Sequence, residues 1–210
     1  MRATYITISI IFLFWSCESK NLKSTRYLNK ARINYTNKEF SKADSNCSLA
    51  ITLDSTNISA LILKSEIKTE LKNFSAAIDI LKSALKNGKL KDSIFYFLAG
   101  NYFNLAWEIQ LKEEKNINLE KPYWDLARKY YDSAITLNPY FYKAYVNKAK
   151  VLHNLDEYSE AITIINLANN LDNLKPFFII SSLTYIAYCY IINSASSLTY
   201  TNLHNHGRKR

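Results

Sequence analysis

Two stretches of this chain can be laid one beneath the other without a gap. STRYLNKARINYTNKEFSKADSNCSLAITLDSTN, residues 24–57, stands over ISALILKSEIKTELKNFSAAIDILKSALKNGKLK, residues 58–91. Tyr27, Ala31, Phe40, Ala43, Cys47 and Ala50 then align with Leu61, Ser65, Phe74, Ala77, Leu81 and Ala84, each pair 34 residues apart. Such a period marks an array of small supersecondary units, none able to bury its apolar face alone. Small residues recur seven apart in each unit, as at Ala43 and Ala50. On a helix that spacing puts them on one face, where they let two backbones approach while larger side chains fill the gaps. With only 3 Gly and 3 Pro in 210 residues, the chain is poor in tight-turn material, which points to long helices and short connectors.

YKAYVNKAKVLHNLDEYSEAITIINLANNLDNLK, residues 142–175, repeats the pattern with Tyr145, Ala149, Leu152, Tyr158, Ala161, Ile165 and Ala168. The unit before it, 92–141, is longer. DSIFYFLAGNYFNLA supplies Phe95, Leu98, Ala99 and Tyr102 in register, but Trp124, Ala127, Tyr131 and Ala134 align only if residues 106–121 are an insertion between two helices. That insertion, AWEIQLKEEKNINLEK, predicts a first helix lengthened through Glu113 or Glu114 and then a polar loop. Pro122 suits the first turn of the next helix, where its missing N–H is one of the unpaired donors anyway. Asn138-Pro139 stops that helix before the last unit.

The period, the small residues at the eighth, twentieth and twenty-seventh positions and the aromatic at the seventeenth resemble the tetratricopeptide repeat (TPR). The resemblance implies an all-α fold: a right-handed superhelical array of antiparallel helix pairs, a TPR solenoid, with about four repeats over residues 24–175. These are 24–57, 58–91, 92–141 with its insertion at 106–121, and 142–175. Residues 176–193, PFFIISSLTYIAYCYIIN, read as a capping helix over the last apolar face. Half of a fifth repeat, or a strand or oligomer contact, fits the same Ile- and Tyr-rich run. Residues 194–210 read as a flexible basic tail, in which His204 and His206 are a frayed end rather than a metal site. One departure from the family stands out: Lys30, Lys64 and Lys148 occupy the seventh position, usually apolar, where only Leu98 conforms. Either their stems snorkel past apolar neighbours or the first helices are re-registered.

The N-terminus supplies an address. MRATYITISIIFLFWSCESK opens with Arg2, continues apolar from Tyr5 to Trp15 and reaches Cys17, the plan of a signal peptide. As a helix, Ala3 to Ser16 would span about 21 Å, short of a hydrocarbon core of roughly 30 Å. FLFWSC resembles the lipobox of bacterial lipoproteins, with Ser16 in place but Phe14 and Trp15 where that family prefers smaller residues. The resemblance implies a signal peptide over 1–16, lipid attachment at Cys17, a lipidated linker over 17–23, and a membrane-anchored lipoprotein of the bacterial envelope, at the outer membrane or periplasmic face. An ordinary cleaved signal or an uncleaved anchor accommodates the same apolar run.

A formal charge of +9 raises nucleic acid as a partner, but the lysines are dispersed among Asp and Glu and read as solvated helix faces, so no nucleic acid is expected. Cys47 and Cys189 lie far apart within helical patterns and read as buried thiols. No Cys-x-x-Cys, His-Glu-x-x-His, phosphate loop or Gly-x-Ser-x-Gly occurs. No cofactor, metal or catalytic residue is expected, and the protein is read as a non-enzyme.

Binding is the remaining class. In TPR proteins the second, fifth, ninth, twelfth and thirteenth positions of each first helix line a concave groove. The resemblance places there Leu28, Arg32 and Tyr35, then Ile62, Glu66 and Thr69, then Tyr96, Gly100 and Phe103, and finally Lys143, Val146, Lys150, His153 and Asn154. The fifth, ninth and twelfth positions share a face, lying within about 80° at 100° per residue. Arg32, Tyr35, Glu66, Tyr96, Phe103, Lys143, Lys150, His153 and Asn154 are the partner-binding candidates. They make a groove aromatic in its middle and basic toward its C-terminal end, suited to a protein or peptide with apolar anchors and an acidic segment. Co-chaperones of this family clamp a terminal carboxylate with Lys and Asn where this chain has Leu28, Arg32 and Leu63, so that clamp is not matched. The expected function is an exported, lipid-anchored scaffold for protein–protein interactions in the envelope. The alternative is an envelope lipoprotein binding a glycan or small anion in the aromatic and basic groove; a third reading, motivated by the high pI, is binding to an anionic envelope polymer.

Overall fold

The computed structural model describes residues 19–86, 88–112 and 117–171. The signal peptide, Cys17, the expected capping helix at 176–193, Cys189 and the tail at 194–210 lie outside the described residues. Eight helices follow one another within them: α1 Lys20–Thr36, α2 Phe40–Leu53, α3 Ile58–Glu70, α4 Phe74–Leu85, α5 Lys91–Lys112, α6 Ile117–Leu137, α7 Tyr142–Asn154 and α8 Tyr158–Leu171. They fall into two compact units, dividing between Lys89 and Leu90. The first holds the hairpins α1–α2 and α3–α4, with α2 also packed on α3; the second holds α5–α6 and α7–α8, with α6 packed on α7. This is the helix-pair fold of tetratricopeptide repeat proteins.

Local chemistry sets the helix ends. The Ser19 side chain accepts a hydrogen bond from the Leu22 amide at 3.3 Å, and Asn57 and Asn73 do the same for Ala60 and Ala76 at 3.1 and 3.2 Å. Each satisfies a donor that the first helical turn leaves unpaired. Because Ser19 caps α1, residues 20–23 are helix, not the linker expected over 17–23.

The first helices of three repeats stop by one device. Lys38, Lys72 and Asp156 have φ of 61°, 57° and 62°, and all stand at the fifteenth position of their repeats. The amide after each returns to the carbonyl five residues back, Glu39 to Asn34, Asn73 to Lys68 and Glu157 to Leu152, at 2.8, 2.8 and 2.9 Å. This left-handed closure satisfies the last carbonyls and turns the chain into the second helix.

In the third repeat the fifteenth position is Ala106, a residue that strongly favours continued helix. It is helical and fully buried, and α5 runs on to Lys112. The insertion therefore does not end in the expected polar loop: α6 already begins at Ile117, and Pro122 lies inside it rather than in its first turn. Proline there lacks the N–H that would bond the Asn118 carbonyl, a loss tolerated in a helix held by tertiary packing. Glu120 and Trp124 on this stretch are fully buried, while Trp107, Leu111 and Leu119 are exposed.

The repeat's small residues are its contact points. Ala31, Ala43, Ala50, Ala77, Ala84, Ala99, Ala127, Ala134, Ala149 and Ala161, with Ser65, have no exposed surface. In the first unit Ala31, Ala43 and Ala50 join Leu28, Cys47, Ala60, Leu63 and Ile67 in one core cluster, with Tyr27 and Phe40 against it. Burial and the charge of Asp44 push the Cys47 thiol up to about 12, so it stays a neutral packing group. Leu28 belongs to this core and not to a groove lining, as the fifth position had implied.

The seventh-position lysines are accommodated without re-registration, since their eighth-position neighbours are the buried ones. Lys148 is itself 8 % exposed and places its ammonium 2.9 Å from Asp132 of α6 and 3.2 Å from Glu160 of α8. Burial pulls its pKa down, but the hydrogen bonds and charges of the two carboxylates outweigh that and hold it above the ordinary lysine value. Lys64 donates to Ser48 Oγ at 2.8 Å, and Lys30 lies 5.4 Å from the centre of the Tyr27 ring.

Ala43→Leu should overpack the α1–α2 contact and cost about 1–3 kcal/mol, read as a lower urea midpoint with an unchanged slope. The same substitution at the exposed Thr52 should move the midpoint by less than about 0.5 kcal/mol.

Candidate partner-binding faces

In the first unit, α1 and α3 carry the first-helix positions expected to meet a partner. Arg32 is exposed, Tyr35 and Glu66 are half-buried, and the structure adds Glu70 at the thirteenth position of the second repeat. The Tyr35 hydroxyl donates to Glu70 Oε1 over a long 3.5 Å, and its ring meets Phe40 edge-on with centroids 5.8 Å apart. Burial, then the charges of Glu66 and Glu70, push the Tyr35 hydroxyl up to about 12. Burial first and Glu70 second also raise the Glu66 carboxyl above the ordinary glutamate value, with Arg32 opposing them. Arg32, Tyr35 and Glu66 thus form one electrostatically coupled face, more acidic than their residue types alone conveyed because Glu70 joins it.

In the second unit the corresponding face is built by α5 and α7, with α6 behind them. The Tyr96 ring stacks on Phe141 at 4.8 Å and meets Tyr131 edge-on at 5.9 Å. Its hydroxyl accepts from Asn147 Nδ2 at 3.0 Å. Tyr96 is therefore a wall residue engaged within the unit. Phe103 packs edge-on against Trp124 at 4.9 Å.

Between these groups lies a cavity of about 270 Å³ lined by Gly100, Phe103, Asn104, Tyr131, Asn147 and Lys150. Tyr131 is only 2 % exposed. Burial first, then proximity to Tyr96, raise its hydroxyl far above the ordinary tyrosine value, against a hydrogen bond with Asn147. It stays protonated and able to donate.

Of the sequence candidates here, Phe103 and Lys150 line the cavity and Tyr96 stands behind Asn147. Lys143 is exposed at the start of α7 outside the lining. His153 meets Tyr158 edge-on at 5.4 Å, and Asn154 turns its amide back to the Lys150 carbonyl at 2.8 Å. Those three are not brought to the cavity. Sequence reasoning missed Tyr131, Asn147 and Asn104. Asn104 stands at the thirteenth position, a groove position in the repeat register, so its signal was present; Tyr131 entered only as a register position of a second helix, which the groove positions do not include.

A broader cavity of about 650 Å³, lined by residues including Lys91, Phe95, Arg128 and Lys129, lies along α5 and α6. Three of its charged groups are already engaged: Arg128 forks onto both Glu157 oxygens at 2.9 Å and pairs with Asp125 at 3.0 Å, and Asp132 holds Lys148. Among the described residues no cluster of three His, Cys, Asp or Glu side chains can hold a metal ion, and no described helix is long and apolar enough to cross a membrane.

Residues 142–173 match the family model described as Tetratricopeptide repeat. The fold is similar to that of a thermophilic TPR protein of Thermus thermophilus, at 17 % identity over 80 % of this chain and 81 % of the other, with a TM-score of 0.65. It is similar to YrrB, a TPR protein with an unusual peptide-binding site, at 20 % identity over 80 % and 76 % of the two chains and a TM-score of 0.55. The first TPR domain of Spaghetti, solved with an HSP90 peptide, covers 64 % of this chain and 94 % of its own at 15 % identity and a TM-score of 0.53. At such low identities the TM-scores establish a shared fold and nothing beyond it. No curated protein matches the chain.

Two measurements test the first face. A raised carboxyl pKa means that the folded state holds the Glu66 proton more tightly than the unfolded chain does, so stability falls as pH rises from the ordinary glutamate range through the folded value. Glu66→Gln should therefore add a few tenths of a kcal/mol at pH 7, discounted for solvent screening, and nothing near pH 3; a loss of stability at pH 7 contradicts the assignment. The Tyr35 contribution is present below pH 10 and is lost as pH rises toward about 12. The difference in 295 nm absorbance between wild type and Tyr35→Phe should titrate near the higher value.

Proposed function

We propose that this chain, whose fold is that of tetratricopeptide repeat proteins and whose residues 142–173 match the repeat by sequence, is a scaffold that binds a protein or peptide partner. The observation that carries the reading is the α5–α7 face. There a cavity of side-chain size joins an apolar wall, Phe103, to a cation, Lys150, beside two carboxamides. An apolar surface with a few placed polar groups is the composition of a recognition site. The structural neighbours solved with a bound peptide, or named for a peptide-binding site, support the same reading.

The second part of the proposal is location. A cation, an apolar run too short to span a bilayer and a cysteine at its end support export and lipid attachment at Cys17, with the partner met at the bacterial envelope. Two or more acyl chains hold a protein at a membrane far more firmly than one. The repeat array then concentrates its partner at that surface.

The test is crosslinking in native cells followed by affinity isolation. Wild type should fractionate with membranes and yield a reproducible crosslinked partner. Cys17→Ala should move the protein to the soluble fraction, and unchanged fractionation would remove the anchor. Phe103→Ala combined with Lys150→Glu should cut the crosslinked yield by about tenfold, equivalent to about 1.4 kcal/mol, with membrane fractionation retained. A yield unaffected by that pair would remove the α5–α7 face as the site.

A further inference from the structure

We propose that α1 is an interfacial helix, whose outward face of Leu22, Lys23, Arg26, Lys30 and Ile33 lies along an anionic lipid bilayer. This rests on the lipid-attachment reading above and says how the array meets the membrane that Cys17 reaches.

Charge is the first observation. The dispersal of lysines among acids, expected from the sequence, holds for α2 to α6, each of which carries as many acids as bases. It fails for α1, which has Lys20, Lys23, Arg26, Lys30 and Arg32 and no acid. Arg32 points about 180° away from Lys23 and faces the charge of Glu66. The other four fall within about 120° of one another, and all four are exposed. Lys20, Lys23 and Lys30 make no ion pair among the described residues, unlike Lys42, Lys68, Lys112 and Lys148. Lys20 and Lys23 also stand at the start of α1, where the helix dipole disfavours cations. The packing of the first unit calls for neither.

Register is the second. At the seventh position Lys64 reaches back to Ser48 on the second helix of the repeat before it, and Lys148 to Asp132. Lys30 holds that position in the first repeat, and no helix pair precedes it among the described residues. The third position is buried as Ala60, Ile94 and Ala144, and the tenth as Ile67, Asn101 and Val151. In the first repeat these two positions are Arg26 and Ile33, both exposed. Ile33 is 61 % exposed, and Leu22 on the same side of α1 is 57 % exposed. A face that later repeats bury is therefore open here, and it mixes cations of one sign with two large apolar side chains. A face kept only for solubility needs polar groups and neither leucine nor isoleucine. Leu22, Lys23, Arg26, Lys30 and Ile33 lie within about 100°, the arrangement of a helix that rests in a membrane interface. A soluble polyanion would use the cations and gain nothing from Leu22 and Ile33.

Reach agrees. Ser19 caps α1, and Lys20 stands at most about 11 Å of extended chain from Cys17, close to the Debye length of about 8 Å in physiological salt. Were the helix upright, Lys30 would lie about 15 Å further from the surface and be screened from it. Lying flat, α1 brings Lys23, Arg26 and Lys30 to the headgroups together.

The experiment is vesicle flotation of the full chain carrying Cys17→Ala, which cannot be acylated, in about 0.15 M salt. Phosphatidylcholine vesicles give the baseline, including any insertion of the apolar N-terminal run; the test vesicles are roughly one-third phosphatidylglycerol. Each cation at such a surface contributes roughly fivefold to partitioning, so the chain should prefer the anionic vesicles by about a hundredfold. Lys20→Gln, Lys23→Gln and Lys30→Gln together should remove most of that preference, with the neutral baseline and thermal midpoint unchanged, and the same three changes to arginine should keep it. Lys30→Gln alone should weaken anionic binding as much as Lys20→Gln alone, because the helix lies flat. Leu22→Ser with Ile33→Ser should weaken it about tenfold. Lys86→Gln, Lys89→Gln and Lys121→Gln, which remove the same charge from exposed positions elsewhere, should change it about twofold at most. Four results overturn the proposal: no preference for anionic vesicles, an equal loss in that control triple, an unaffected Lys30→Gln, or release by soluble polyphosphate with indifference to Leu22 and Ile33, the pattern of a soluble polyanion. The anchor is read apart from this, in native membranes washed with about 0.5 M salt, which strips the α1 contact and leaves acyl chains inserted. Fractionation that depends on Cys17 without any vesicle preference removes the α1 contact alone; vesicle preference with fractionation indifferent to Cys17 removes the anchor alone.

Discussion

The structure depends on alanines that let helices touch at the backbone. At the eighth, twentieth and twenty-seventh positions a methyl group or a Ser65 hydroxymethyl is all that separates one helix from its partner, and each is buried. Close approach fixes the interhelical spacing at which Leu98, Trp124, Tyr131, Leu152 and Ile165 are buried. Hydrophobic burial supplies the driving force, but the small residues decide which geometry it drives toward. A chain with the same apolar content and bulkier residues at those positions would have no reason to form paired helices of this pitch.

That constraint is why the fold was legible. A period of 34 with small residues at fixed offsets has one structural consequence, and the helices and their buried faces follow it. Boundaries were less legible, for a local reason. A helix stop at the fifteenth position requires one residue at positive φ, and Lys38, Lys72 and Asp156 carry no glycine to announce it. The turn is imposed by the two amides that return to the preceding carbonyls and by the packing that follows. Where Ala106 stands instead, nothing imposes it. The helix continues, and the inserted residues extend the α5–α6 hairpin from both sides. Proline at 122 suggested a helix start because a first-turn proline is the commoner case; burial of the Trp124 side chain two residues on helps hold the helix through the break.

The candidate faces were legible only in part. Register places Arg32, Tyr35, Glu66, Phe103 and Lys150 toward one side of their first helices, and the structure brings each group together within its own unit. Register does not say which residues are already engaged. Tyr96 is held by Phe141, Tyr131 and Asn147, and Asn154 by its own helix, so neither is spare for a partner. Nor does register see through a helix: Tyr131 becomes part of a first-helix face only because Gly100 leaves no side chain in the way. A missing side chain carries no hydropathy signal, and its effect appears only when the volume behind it is built.

Lys148 and Lys150 show how one short helix serves both purposes. Two residues on a helix point about 200° apart, so neighbours in sequence are strangers in environment. Lys148 turns toward the second helices and is fastened by Asp132 and Glu160, cross-bracing α6, α7 and α8. Lys150 turns the other way, exposed and beside the cavity. The first lysine is accountable to packing: its ammonium must find carboxylates, because a nearly buried charge without them is costly. The second is accountable only to whatever enters the cavity. The alanine contacts and the Lys148 bridge fix the scaffold on one side of these helices, and Lys150 stands on the other. Lys148 and Ala149 are thus accounted for by the packing of the fold, whereas nothing in that packing calls for a lysine at 150.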